Sequence, residues 1–523
     1  MSKRNYNVFF NAHTVSGIII SFLLYVIFFA GAFALFKDEI TVWEEGERIN
    51  RTAKSDIDFD GMLTKLDNEY NLLGRDLQFR FGLAEDHVSL FMSGSKDSLA
   101  SEKAKESHYF ITNIHTYETE TYAENYSLGE FLYRLHFFQQ LPGYGIYIAG
   151  IVSLLFLFAI VTGVIVHWKK IISNLFNFNP KSTLKRVWTD AHTALGTIGL
   201  PFQLLFAVTG AYFCLSIFVL APANIIYKND RKKLMADLRP GPEEEDWIKA
   251  SQEKMPSYND FIKQSPKWKN FELNGAMIKN YGGVNMHYII KGKLPDHHQI
   301  TGTGRITKNA YSGEIIEEKH PTNSNYIESV QEITHRLHYG DFGGISLKII
   351  YFLLALLTCF VIISGVLIWI EARNRRNMTI RQRLYTAGVG RTYLSICLSM
   401  LPVTALAFIF VKFSHGHFQI KQSAIYAFYF LTWMAFILIF RLKKDNYFTN
   451  KMSLLLGGIF GLFVPIVNGV VTGNWIWITI FQDQKEIVTI DLLWLIIASL
   501  CFGIYFSIKP SIKEQSTYAK YPL

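Results

Sequence analysis

AHTVSGIIISFLLYVIFFAGAFALF, residues 12–36, carries no acidic or basic side chain other than a single histidine near its start. Backbone N–H and C=O groups cannot stay unpaired in lipid, so an uncharged run of roughly 20 residues predicts a membrane helix. The opening of this run recurs. Ala12-His13-Thr14 with Gly17 and Gly31-Ala32 returns as Ala191-His192-Thr193 with Gly196 and Gly210-Ala211, each residue 179 positions on. A second pattern, Arg134-Leu135-His136 with Gly163, returns 202 positions on as Arg336-Leu337-His338 with Gly365. Repeats expose the positions that an architecture uses twice. Span three copies span one and span four copies span two, in the same direction, so the repeat axis is expected along the membrane normal.

The rest of the chain is read around this unit. Half of the 523 residues are hydrophobic and 18% are charged, too apolar for one soluble core of this size. Uncharged runs lie within 13–36, 141–168, 192–227, 349–370, 392–411, 422–440, 452–481 and 492–508, about eight spans in all. Three exceed what a bilayer needs, so their ends are expected to project or bend. The first run follows Lys3 and Arg4, and Ala30, Ala32 and Ala34 near its end resemble a signal-peptide cleavage region. Its apolar core is too long for that, and it is read as an uncleaved anchor.

Lys169, Lys170, Lys181, Lys185 and Arg186 follow span two. Arg373, Arg375, Arg376, Arg381 and Arg383 follow span four, and Arg441, Lys443 and Lys444 follow span six. The positive-inside rule puts these on the cytoplasmic face, which leaves both termini cytoplasmic and the two long inserts exported. The same placement accounts for the formal charge of +9 as membrane orientation, and no nucleic-acid partner is expected. Cys214, Cys359, Cys397 and Cys501 all fall in apolar stretches, which excludes a disulfide framework and thiolate clusters.

Each insert shows helical signals first and strand signals later. Helices are expected over 62–70 and 247–262, and matched β-hairpins over 109–121 and 305–316, the second closed by a Tyr311-Ser312-Gly313 turn. The fold class is therefore a membrane all-α helical bundle of about eight transmembrane helices, the first four as two parallel repeats, with two exported α+β domains. The expected divisions are a first transmembrane helix (1–36), an exported domain (37–135) and transmembrane helices two and three (136–227). A second exported domain (228–335), transmembrane helix four (336–376) and an appended four-helix membrane module without a copy (377–523) follow.

Ionisable side chains inside or at the ends of membrane helices are costly and by default mark function. The repeat sets His13 and His192 at the cytoplasmic mouths of spans one and three, and His136 and His338 just outside spans two and four. A lone interfacial histidine is usually a polar anchor. Four in symmetric pairs point to metal or haem ligation, where two facing imidazoles could hold one b-type haem in each tier, with a proton relay as the competing reading. No C-x-x-C-H is present, so the haem would be non-covalent. Gly17 and Gly196, one turn beyond their histidines, are expected to line the porphyrin. Gly31 with Gly210 and Gly163 with Gly365 read as close helix packing. His335, whose counterpart is Tyr133, and His167, which aligns with Trp369, are lower-ranked ligand candidates. His415 and His417 read as solvated. His87, His108, His115, His287, His297, His298 and His320 read as surface residues of the inserts.

The A-H-T-x-x-G opening of spans one and three, the R-L-H before spans two and four, and the α+β inserts together resemble the PepSY-associated transmembrane family of iron-regulated membrane proteins, which includes siderophore reductases. The likeness covers about residues 5–376. It implies PepSY-like exported domains and a dihaem b-type protein of the bacterial inner membrane that passes electrons outward to ferric siderophore in the periplasm. His13, His136, His192 and His338 match well enough to carry the ligand role, while no catalytic residue is assigned. No G-x-G-x-x-G follows a strand, so electrons are expected from quinol or a separate cytoplasmic flavoprotein. Gly163 lies 27 residues beyond His136, about 40 Å of straight helix at ~1.5 Å per residue. His136 is thus expected to stand proud of the membrane, with Phe137, Phe138 or Phe156 as an aromatic stepping-stone. Two other classes remain open: a transporter of siderophore or a cation, and a regulatory binding protein acting through its exported domains.

Overall fold

The computed structural model of the chain describes residues 1–46, 54–82, 86–174, 176, 182–219, 221–230, 233–234, 246–265, 268, 270–294, 301–375 and 377–508. Lys181, Arg376, His297 and His298 lie outside them. The chain divides into two units, one comprising Met1–Glu47, Ser127–Ser216 and Lys348–Leu523, the other Arg48–Tyr126 and Ile217–Leu347.

The first unit is helical. It opens with α1 (Lys3–Ala34) and α2 (Lys37–Glu45); α3 (Phe59–Tyr70) belongs to the second unit. There follow α4 (Leu128–His136), α5 (Gly145–His167), α6 (Leu184–Ile198) and α7 (Leu200–Val219). The second unit contributes α8 (Tyr258–Gln264) and α9 (Tyr326–Tyr339). The first unit then resumes with α10 (Gly344–Arg373), α11 (Ile380–Phe413), α12 (Lys421–Lys443), α13 (Asn446–Thr472) and α14 (Lys485–Ser507). Among the described residues seven helices are long and apolar enough to cross a membrane, and α6 with α7 makes an eighth span if the bent pair is counted as one. The chain is a multi-pass membrane protein.

Two of the long runs break where backbone chemistry requires it. The run 192–227 turns by 69° between α6 and α7, at Gly199-Leu200-Pro201, where the proline ring lacks an N–H and clashes with the preceding turn. The run 452–481 stops at Gly473, whose φ of 72° ends α13 in a left-handed cap, and a short helix Ile476–Phe481 follows. Arg134-Leu135-His136 is likewise not continuous with span two. Phe138 and Gly143 take positive φ values of 57° and 78°, Pro142 intervenes, and α4 is a separate helix.

α1 packs along α4 and α5, α11 along α12 and α13, and α13 along α14. Phe33 of α1, 1% exposed, joins the later helices to the first span, its ring 5.6 Å from Phe352, 6.3 Å from Phe408 and 5.6 Å from Trp494. α4 is gripped from the later helices too: Phe131 lies 5.4, 4.7 and 5.8 Å from Tyr426, Tyr429 and Phe430 of α12. α2 is fixed by a buried polar cluster. Trp43 Nε1 donates to Asp491 Oδ1 (2.8 Å), Asn468 Nδ2 donates to Asp491 Oδ2 (3.1 Å), and Lys412 Nζ donates to the Trp43 carbonyl. Both oxygens of this buried carboxylate are thereby satisfied, as burial demands.

The second unit is one antiparallel sheet of eight strands in the order β4-β3-β2-β1-β5-β6-β7-β8. The strands are β1 (Leu77–Phe81), β2 (His87–Met92), β3 (His108–Asn113), β4 (Thr119–Thr121), β5 (Glu272–Lys279), β6 (His287–Lys293), β7 (Thr303–Asn309) and β8 (Ile315–Lys319). Each insert supplies a four-stranded meander, and the two join where β1 pairs with β5, Leu77 opposite Ile278 and Arg80 opposite Gly275. α3 and α8 cover one face, burying Phe59, Met62, Leu66, Phe79, Ile278 and Ile290 among others. The inserts thus share one core. The helix expected over 247–262 is only α8. Pro256 removes an N–H and disfavours helix at Met255, and Ser257 then starts the helix, its Oγ accepting from Asp260 N. Residues 37–46 and 127–135 belong to the helical unit and not to an insert.

Candidate functional site

His13 lies on α1 with its ring against α5. Its Nδ1 is 2.8 Å from the Ala159 carbonyl oxygen, and Gly163, one turn on, leaves the ring its space: a Cβ there would sit 3.0 Å from His13 Cε1. His192 on α6 repeats this against α10. Its Nδ1 is 2.9 Å from the Val361 carbonyl and 3.1 Å from Ser364 Oγ, and a Cβ on Gly365 would lie 3.2 Å from its ring. Ala159 and Val361 are separated by 202 residues, the offset that also relates Gly163 to Gly365, so both histidines make the same bond at equivalent places of the repeat. A carbonyl oxygen can only accept. Each Nδ1 therefore carries the proton, and each Nε2 presents a lone pair.

The two rings meet. Their centres are 6.2 Å apart, with planes at 66°. Imidazoles sharing one metal through Nε2 bonds of ~2.1 Å have centres roughly 6–6.5 Å apart, and rotation about the common axis leaves the interplanar angle free. The separation is also an ordinary one for an edge contact between rings. Among the described residues no three His, Cys, Asp or Glu side chains gather around a common point. Two imidazoles, each with its Nε2 lone pair free, would suit a metal whose remaining ligands a macrocycle supplies. Gly17 fits that requirement, with nothing within 4 Å of where its Cβ would be, and Gly196 has only Val361 Cγ1 at 3.8 Å. His167 follows Ala159 and Gly163 on the same stripe of α5 and so shares the face that His13 packs on.

His136, at the end of α4, turns back onto α1. Its Nδ1 is 2.7 Å from the Ile27 carbonyl, and a Cβ on Gly31 would lie 2.6 Å from that nitrogen. Ile27 precedes the end of α1 at Ala34 by seven residues, so His136 does not stand beyond the span as a straight helix requires; the break after α4 is the cause. Along α1, 14 residues separate His13 from Ile27, about 21 Å at ~1.5 Å per residue. His338 and His335 are on α9 in the sheet unit. His335 is exposed and stacks on Tyr339 at 4.1 Å, and the half-buried His338 ring is 5.8 Å from Tyr339.

Of the glycines read as helix packing, Gly163, Gly365 and Gly31 are instead set against an imidazole, while Gly210 keeps a contact with the neighbouring helix, meeting Ser153 Oγ at 2.9 Å. His287, read as a surface residue, is 5% exposed on β6. His415 and His417 are exposed. The carbonyls of Ala159, Val361 and Ile27 and the Ser364 hydroxyl were missed; the offset of 202 that ties Gly163 to Gly365 also ties the first two together, and could have found them. The four cysteines are free.

Comparison with curated proteins gives no match. Residues 10–372, well over half of the chain, match the PepSY-associated TM region. The chain belongs to that family.

Proposed function

We propose that this protein is a dihaem b-type electron-transfer protein of the bacterial inner membrane that reduces ferric siderophore on the periplasmic side. The observation that carries the reading is the His13–His192 pair: two imidazoles of the repeat, each with Nδ1 tied to a backbone carbonyl, bring their rings to 6.2 Å. Bound haem b would supply a one-electron carrier, its potential set by axial ligands and burial. His13 and His192 would hold the inner group through Nε2, and Gly17 and Gly196 leave a wall without side chains. His136, oriented by the Ile27 carbonyl, would hold the outer group; its counterpart in the sequence repeat is His338. The substrate step takes one electron per iron: the ferric complex becomes ferrous, and a chelator built for ferric iron releases it. Quinol or a cytoplasmic flavoprotein would be the donor. The runs of arginine and lysine after spans two, four and six support cytoplasmic termini.

A visible spectrum of the detergent-purified protein, oxidised and dithionite-reduced, tests this. A low-spin b-type Soret shift is expected, and His13→Ala and His136→Ala should each remove about half the haem, one of two bis-histidine sites. Full occupancy in both variants would show that the ligand assignment is wrong. The edge contact between His13 and His192 also suits a proton relay in a transporter; that reading requires a colourless protein.

A further inference from the structure

One face of the sheet unit is the helix-covered core; the opposite face carries a line of cations. Side chains alternate along a strand, so the neighbours of buried Phe79, Ala276, Ile290 and Ile306 point away from α3 and α8. The register aligns four of them in one row: Arg80 pairs with Gly275, Gly275 with Lys291, Lys291 with Arg305, and Arg305 with Lys319. Adjacent strands are ~4.8 Å apart, so Arg80 and Lys291 stand about 10 Å apart across Gly275, with Arg305 one strand further. Gly275 leaves that interval open: the nearest atoms to a Cβ there would be Phe79 O at 3.4 Å and Lys291 Cβ at 4.0 Å.

The outer members of the row are neutralised. Arg305 is paired through both Nε (3.0 Å) and Nη2 with Glu317, and Lys319 pairs with Glu328 of α9 at 2.6 Å. Among the described residues Arg80 and Lys291 make no ion pair, although Lys291 is half-buried. Burial pushes the Lys291 ammonium below its usual range, and the charges of Arg305, Arg80 and Lys279 push it further, with only the Glu317 carboxylate, already held by Arg305, opposing. Buried charges are ordinarily paired. A second buried polar group nearby is also unmatched: Thr307 Oγ1, two residues beyond Arg305 on the same face, is fully buried without a hydrogen-bond partner. The face changes character at this point. Phe91 and Tyr109 are 43% and 41% exposed on the β2–β3 side, whereas Ile289 and Thr307 on the β6–β7 side are 0% exposed, so the gap at Gly275 opens from the exposed half onto the covered cations.

We infer that the Gly275 gap, flanked by Arg80 and Lys291, binds an anion bearing several oxygen donors, and that this anion is a negatively charged ferric chelate. The choice of ligand rests on the reductase reading above; the anion site itself rests on the sheet. Arginine and lysine together recognise carboxylate or catecholate oxygens by charge-assisted hydrogen bonds, and a neutral complex gains nothing from them.

Equilibrium dialysis of the full-length protein in detergent tests the site, with a triply negative ferric tris-catecholate and a charge-neutral ferric trihydroxamate as probes. The catecholate complex should bind in preference. Arg80→Gln, at an exposed position outside the core, and Lys291→Gln should each weaken it by roughly tenfold or more with the haem spectrum unchanged. Equal binding of the two probes, or unchanged affinity in both variants, overturns the site. A colourless wild-type protein that still binds the catecholate selectively would sink the reductase reading alone.

Discussion

An imidazole held by a carbonyl at one nitrogen is a donor with a fixed direction, and in this chain three such imidazoles are each fitted against a glycine. The missing Cβ is therefore a positional requirement that can be tested tier by tier. Gly31→Ala would bring a methyl to 2.6 Å from His136 Nδ1, inside a hydrogen bond that leaves the ring little freedom, whereas Gly163→Ala would press on His13. On the proposed dihaem reading, Gly31→Ala should lower the outer haem content and spare the inner, and Gly163→Ala should do the reverse, each lost fraction approaching half. Haem-to-protein ratios of the two variants, with redox titration to tell the sites apart, check this. The histidines were legible in the sequence because duplication singled them out. Their acceptors were not, because a carbonyl belongs to every residue and leaves no trace in residue type.

At the level of elements, the helix that delivers His136 is held by α2, the short helix that follows span one. Glu44 at the end of α2 accepts from Leu128 N at the start of α4 (2.6 Å), Thr41 bonds Ser127 (2.7 Å), and Lys37 pairs with Glu130 (2.6 Å). Burial dominates at Glu44 and raises its carboxyl to about 7, with the Leu128 N–H opposing. The folded state then keeps a proton that the unfolded chain releases near its ordinary carboxylate value, so stability falls as pH rises through that interval and levels off above about 7. Glu44→Gln retains the acceptor for Leu128 N and removes the ionisation. Its thermal unfolding temperature should vary less between pH 5 and pH 8 than that of the parent, and identical slopes would show that Glu44 is not the group responsible. Helix periods and charge-free runs made most spans readable. The turn at Gly199 and the separation of α4 from α5 were not, since a hydropathy window averages over the Gly-Pro chemistry that breaks them.

Across the whole molecule, the sequence shows two inserts and the structure joins them in one sheet. The hairpins β3–β4 and β7–β8 were readable from local turn and strand signals, but the seam between β1 and β5 pairs residues about two hundred positions apart and has no local signature. Met277→Pro removes a ladder hydrogen bond in the interior strand β5, a place that proline does not tolerate. Both inserts should become protease-sensitive together, which limited proteolysis with mapping of the fragments would detect; cleavage confined to 246–347 would mean that they fold independently.

That seam has a consequence for biogenesis. When the ribosome has finished β1 at Phe81, the partner that begins at Glu272 does not yet exist, and at ~5–20 residues per second the intervening 190 or so residues take roughly 10–40 seconds to synthesise. For that interval the nascent first meander offers a bare edge strand to any neighbouring chain, and a holdase that shields it would be needed most just before β5 emerges.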